Sequence, residues 1–265
     1  QTSNQVAIGY AALRYTITGT KNTAVGHYSL RNNLASSNTA VGYCTLAANT
    51  TGNSNTAVGT QALYKNTTGG CNTAVGTYAL LCNTIGTNNT AIGVSALRAN
   101  SSGYSNTAVG TLALRCNTTG IDNASFGANS LVNNTTGNQN TAIGYNSQRC
   151  TTIGGCNVSL GNSSLRYNTT GACNTAVGWT ALRSNTVGAN NTAMGQTALY
   201  KNTTGVNNVA IGREALTQNL VGSSNTAVGR SALECNTASN NTAVGFCALR
   251  SNTSGANNVG LGHLS

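Results

Sequence analysis

The stretch "NTAVGTQALYKNTTGGCNTAVGTYAL", residues 55–80, carries the same pentapeptide twice, at Asn55 and at Asn72, 17 positions apart. Aligned on that Asn, the chain divides into fifteen full repeats and a partial sixteenth, starting at Gln5, Asn22, Asn38 and so on to Asn258. Thirteen of the fifteen spacings are 17 and two are 16. A fixed short period along a whole chain is the mark of a solenoid. Residues 1–265 therefore read as a single repeat domain.

Numbered from its Asn, the repeat is N-T-A-V-G-x-x-A-L-x-x-N-T-T-G-x-x. The fifth position is Gly in every copy, from Gly9 to Gly262. The fourth is always large and apolar, as at Val58, Ile92, Phe126, Leu160 and Met194. The third is Ala except at Ser125, Ser159 and Gly260, and the ninth is Leu except at Gln148. A helix–turn–helix repeat needs over about 30 residues. The piece T-A-V-G instead alternates large and small with period two, which predicts a short strand. "AL" at positions 8 and 9 starts a second, less regular segment. N-T-T-G predicts a turn on the outside, with Asn and Gly accepting positive φ. Each repeat is then one coil of an all-β parallel solenoid, about 16 coils of 17 residues stacked about 4.8 Å apart. Asn at positions 1 and 12 should stack into amide ladders.

The two 16-residue repeats start at Asn22 and Asn225. Both lack the Gly of N-T-T-G, reading "NLASS" (33–37) and "NTASN" (236–240). Deletion and missing Gly coincide, so the lost residue belongs to that turn.

Within the coil, Val at position 4 is expected to meet Leu at position 9 in the core. Ala and Gly would form an opposite face that another backbone can approach. Only 6% of residues are charged and Phe and Trp are nearly absent. So slim a coil with so few large side chains is marginal alone. The expected remedy is a side-by-side homo-oligomer, most simply a trimer.

"NTAVG", "NTAIG" and "NVAIG" (208–212) resemble the repeats in the heads of YadA-like trimeric autotransporter adhesins, and related repeats of viral and phage fibres. The resemblance covers the whole chain through one pentapeptide per repeat. It implies a left-handed β-roll, three chains side by side, and an attachment role at a cell or virion surface. The adhesin repeat is shorter, about 14 residues, and neither heptad stalk nor membrane anchor is present here.

The net charge is +10. Eight Arg share position 10, and in a solenoid one repeat position is one line. Arg98 and Arg115 fall on consecutive coils, as do Arg149, Arg166 and Arg183. Such a stripe suits an anionic glycan, lipopolysaccharide or nucleic acid. The competing reading is solvated charge that prevents sideways aggregation, favoured because no aromatics interleave. Nine Cys occupy positions 7, 11 and 17, and Cys156 and Cys173 share position 17 on adjacent coils, a spacing that fits a disulfide. No CxxC pair appears, so neither metal nor cofactor is expected.

The two His lie near opposite ends, and Asp122, Glu214 and Glu234 do not pair with one another. The glycines are periodic and do not follow a phosphate-loop spacing. No enzyme is expected. N-T-T at Asn49, Asn66, Asn117, Asn134, Asn168 and Asn202 matches the N-glycosylation acceptor pattern, but turn chemistry is the favoured explanation.

No 18-residue apolar run and no export signal are visible, so membrane insertion is not expected. The sequence opens and closes in mid-repeat, as a segment of a longer fibre or a mature product would. The leading expectation is a non-enzymatic extracellular, cell-surface or virion fibre, a spacer and attachment rod. The alternatives are a filament subunit stacking end to end, and an ice-binding solenoid built on Thr ladders. In the last, Val beside each Thr breaks the Thr array. Variation, and with it function, is expected at positions 6, 7, 10, 11, 16 and 17.

Overall fold

The computed structural model describes residues 4–265. It is an all-β parallel solenoid of sixteen three-residue strands, one per repeat, in sequential order. Contacts divide the chain into two compact units, Gln1–Thr136 and Gly137–Ser265. The first carries β1 (Val6–Ile8) to β8 (Ala124–Phe126), and the second β9 (Thr141–Ile143) to β16 (Val259–Leu261). In each unit neighbouring strands pair parallel and in register. Thr56, Ala57 and Val58 lie against Thr73, Ala74 and Val75 in the first, and Thr175, Ala176 and Val177 against Thr192, Ala193 and Met194 in the second.

The strand is the only regular element of a coil. The "AL" segment forms no second wall of sheet, yet its amides still bond along the stack. In the first unit Leu63 N donates to Ala79 O at 3.0 Å and Thr67 N to Thr84 O at 2.9 Å. The backbone groups of the bends are thereby satisfied turn by turn without sheet geometry.

The core is the reverse of the sequence expectation at position 4. Ala57 is fully buried, while Val58 beside it is 37% exposed; in the second unit Ala193 is buried and Met194 is 42% exposed. The pleat sends positions 2 and 4 to one side and position 3 to the other, and it is the small residue that turns inward. Room decides this. Leu63, Leu80 and Leu97 of position 9 are fully buried and fill the narrow section, leaving space for little beyond a methyl opposite. In the last coil a methyl at Gly260 would already fall 2.5 Å from Leu249 Cγ. The outward face of each sheet thus carries Thr and Val columns.

Left-handed backbone also lies elsewhere than expected. It falls at positions 5, 7, 9 and 17, for example Gly59 (φ 129°), Gln61 (55°), Leu63 (52°) and Cys71 (58°). The Gly of N-T-T-G is required for space. A Cβ on Gly69 would meet Gly86 O at 2.3 Å and Asn66 Oδ1 at 2.6 Å, and this Gly is buried. The turn therefore faces inward at its Gly, not wholly outward.

Both amide ladders form. At position 12, Asn66 Nδ2 donates to Asn49 Oδ1 (2.8 Å) and Asn83 Nδ2 to Asn66 Oδ1 (2.8 Å). The second hydrogen of each amide goes to the turn carbonyl, as from Asn66 to Gly69 O at 2.8 Å. At position 1, Asn72 donates its backbone N to Asn55 Oδ1 (3.0 Å) and Nδ2 to Gly86 O (2.9 Å). The second unit repeats the pattern from Asn185 to Asn168 and from Asn202 to Asn185. In the short coils Asn33 and Asn236 reach Ala35 O (2.7 Å) and Ala238 O (2.8 Å) instead, two residues on. Losing one residue moves the accepting carbonyl by one place and leaves the ladder intact.

Candidate functional site

Positions 6, 7, 10 and 11 line a shallow groove beside the bends. In the second unit, across the three coils starting at Asn157, Asn174 and Asn191, it forms a cleft of about 400 Å³ lined by Asn162, Arg166, Trp179, Thr180, Arg183 and Tyr200 among others. Trp179, at position 6, is 54% exposed. Arg183, at position 10, is held between two rings. Its Cζ lies 4.9 Å from the Tyr167 centroid and 5.6 Å from that of Tyr200. Its Nη1 donates to Tyr200 Oη at 2.7 Å and its Nη2 to Tyr167 Oη at 3.3 Å. Arg166 stacks on the Tyr167 ring at 5.2 Å. Two buried polar atoms on this cleft, Arg166 Nε and Thr180 Oγ1, lack a hydrogen-bond partner.

Aromatic side chains therefore do interleave with the arginines, contrary to the sequence expectation. They stand at positions 6, 7 and 11, in columns the stacking brings beside the Arg line, and at position 10, in the line itself, as Tyr200 does. The signal was available in the repeat alignment: Trp179, Tyr167 and Tyr200 all fall in positions that the consensus leaves variable, within one coil of Arg183.

The first unit has a similar groove. About 330 Å³ is lined by Tyr28, Arg31, Tyr43, Cys44 and Tyr64 among others. The Arg31 guanidinium stacks on Tyr15 and Tyr28 at 5.5 and 5.0 Å. Its hydrogen bonding to Tyr15, with the charge of Arg14 nearby, lowers that phenol's pKa from the ordinary value. Arg98 and Arg115 share a smaller cleft, about 220 Å³, with Cys82, Ala99 and Cys116. Arg98 stacks on Tyr78 at 5.8 Å.

Of the five stripe residues, Arg166 and Arg183 meet in one cleft and Arg98 and Arg115 in another, while exposed Arg149 lines neither. Two of the three acids are neutralised locally. Glu234 Oε2 accepts from Arg250 Nε at 2.8 Å, and Glu214 Oε1 from Arg213 Nη2 at 2.9 Å. Desolvation pushes Glu214 up, but the hydrogen bonds from Arg213 and Ser231 and the charges of Arg213 and Arg230 together outweigh it and leave its pKa below the ordinary value.

All nine Cys are free thiols; Cys156 and Cys173 are exposed, and Cys156 Sγ lies 3.3 Å from Gln139 Oε1. Their backbones belong to one ladder, Cys156 N donating to Asn138 O and Cys173 N to Gly155 O. The acceptor asparagines of the N-T-T pattern are buried ladder members; Asn66 and Asn202 are completely shielded. Their Nδ2 atoms are out of reach of a glycosylating enzyme in the folded chain. Among the described residues no three His, Cys, Asp or Glu side chains converge on one point, and no helix is long and apolar enough to cross a membrane.

The fold and the groove define a class, a repeat β-solenoid with variable surface columns on a uniform frame. No protein-family model matches the sequence, and no curated protein matches it.

Proposed function

We propose that this chain is a non-enzymatic spacer and attachment segment of an extracellular, cell-surface or virion fibre, working as a side-by-side trimer. One observation carries the reading. The invariant positions of each coil are consumed by the neighbouring coil, through strand bonds, amide ladders and the Ala–Leu core. Variation is left to surface columns, which is how a frame for recognition is built. The resemblance of N-T-A-V-G to adhesin-head and viral fibre repeats supports the same reading.

The outward Val and Ile of position 4 offer an uncharged apolar column for the neighbouring chains of a trimer. Light scattering of the intact chain checks this. A trimer that falls to monomer on Val177→Lys with Val228→Lys is expected, and a clean wild-type monomer overturns the trimer. Beads coated with the chain should be retained on a glycan-bearing surface; wild-type beads that wash off freely overturn attachment.

A second reading rests on the same face. Thr and Val of positions 2 and 4 both point outward in regular columns, so the Val that interrupts the Thr array adds a second regular column of methyl groups, and a flat two-column array of this kind can order ice. Thermal hysteresis in wild-type protein, abolished by Thr175→Lys with Thr192→Lys, is its test; freezing behaviour equal to that of a control protein excludes it.

A further inference from the structure

We propose that the groove around Trp179 binds a carboxylated sugar residue of a glycan, with the ring on the indole and the carboxylate between Arg166 and Arg183. The inference rests on the attachment reading and gives its ligand class.

Three features of the cleft point to this chemistry. The first is the platform. Trp179 is the only Trp of the chain, and it stands half exposed at the cleft edge. A pyranose presents a face of C–H bonds whose positive hydrogens suit the negative face of an indole. The second is the anion clamp. Arg183 is held by Tyr200 Oη at 2.7 Å and stacked between two rings, so its guanidinium fork is set before any ligand arrives. Preorganisation of this kind reduces the ordering cost of binding, and a planar fork matches a carboxylate with two bonds. The third is the unfinished hydrogen bonding. Arg166 Nε and Thr180 Oγ1 are buried on the cleft without partners. Buried polar atoms in that state call for a polar partner; both are closed to solvent without ligand, and a turn of either side chain into the cleft lets sugar hydroxyls and a carboxylate oxygen accept from them.

The width of the site separates a sugar from nucleic acid. A single strand needs successive stacking platforms along a basic track. Here the neighbours of Trp179 in its column are Asn162 and Gln196, and the run of Arg at position 10 is interrupted after Arg183 by Tyr200, Thr217 and Glu234. The platform is one ring wide, and amide and hydroxyl groups flank it. About 400 Å³ holds one sugar unit with its neighbours in solvent.

The single Trp makes the test direct. The intact chain is titrated with methyl β-D-glucuronide while Trp fluorescence is followed, with methyl β-D-glucoside, inorganic phosphate and a single-stranded oligonucleotide as comparisons. A saturable change with the glucuronide is expected, with the glucoside and phosphate at least about tenfold weaker, which is about 1.4 kcal/mol. Arg183→Gln should weaken the glucuronide about tenfold or more. Arg183→Lys, which keeps the charge but loses the fork, should also weaken it, each variant keeping the wild-type melting curve. Trp179→Ala, read by ligand-observed NMR, should abolish saturation transfer to the sugar ring.

Equal response to the glucoside overturns the carboxylate clamp. Phosphate as good as glucuronide reduces the site to an anion patch and overturns the sugar. Tighter, steeply salt-dependent oligonucleotide binding assigns the groove to nucleic acid instead. No response to any probe at millimolar concentration overturns the site. Trp179→Ala beads still retained on the glycan surface would sink this site and leave attachment standing. Glucuronide binding without retention of wild-type beads would do the reverse.

Discussion

Replacing Asn83 by Asp should make the stability of this solenoid depend on pH in a way that Ala at the same place does not. Asn83 makes three side-chain hydrogen bonds. Its Nδ2 donates to Asn66 Oδ1 (2.8 Å) and Gly86 O (2.9 Å), and its Oδ1 accepts from Asn100 Nδ2 (2.8 Å). Asn83→Ala leaves Asn66 Oδ1 buried and without its ladder donor. Gly86 O keeps a donor in Asn72, and Asn100 keeps Gly103 O. One orphaned acceptor and one half-used amide give an expected loss of about 2–4 kcal/mol, the same at every pH. Asn83→Asp is isosteric but turns a donor into an acceptor facing Asn66 Oδ1. A buried carboxylate in that position is costly, and the folded state raises its pKa above the unfolded value of about 3.9. Below the unfolded pKa the acid is protonated in both states and can donate to Asn66 Oδ1, so stability is near wild type. As pH rises through the unfolded pKa towards the folded one, stability is lost, by at most about 4 kcal/mol at neutrality, the cost of keeping the acid protonated about 3 pH units above its unfolded pKa. The chain has only three acidic residues, so the wild-type background across this range is shallow. Urea unfolding followed by circular dichroism at pH 3, 5 and 7 reads the difference. If Asn83→Asp tracks wild type at all three pH values, or Ala costs under about 0.5 kcal/mol, the buried amide ladder is not what holds the coils.

Gly69→Ala should destabilise by several kcal/mol, because its Cβ would lie 2.3 Å from Gly86 O. The same change combined with deletion of Thr68 recreates the geometry of the "NLASS" coil and should recover most of the loss in a melting experiment. Thr151 stands where an Asn ladder member is expected, and its buried Oγ1 has no partner. Thr151→Asn should supply a donor to Gly154 O and an acceptor for Asn168 Nδ2, raising stability by about 1 kcal/mol in urea; a fall would show that the coil is shaped against an amide. Mild oxidation should link Cys156 to Cys173, identified by mass spectrometry as tryptic peptides 150–166 and 167–183 joined, with fragment ions placing the bond on Cys156 and leaving Cys150 free to alkylate. Exclusive linkage between different chains would contradict pairing along the ladder.

What the repeat alignment made legible, and what it hid, follow from one physical difference. Bonds between equivalent residues of successive coils are written in the period itself, so the solenoid, the Asn ladders and the turn deletion could be read directly. Which side of the strand faces inward is not written there. T-A-V alternates equally well with Val inside or outside, and hydrophobicity favours Val inside. The choice is made by Leu80 and its equivalents, whose bulk across a thin coil leaves room only for Ala. The period also hides contacts between different columns. Arg166, Arg183, Tyr167, Tyr200 and Trp179 occupy three repeat positions, so following position 10 alone finds a line of charge ending in Tyr200 and misses Tyr167 and Trp179 beside it. Stacking turns offsets of 16 and 17 residues into neighbours: Tyr167 and Tyr200 lie that far on either side of Arg183, and both bond it. In a solenoid a site must be sought across columns within two or three coils, because a motif along the chain describes only the frame.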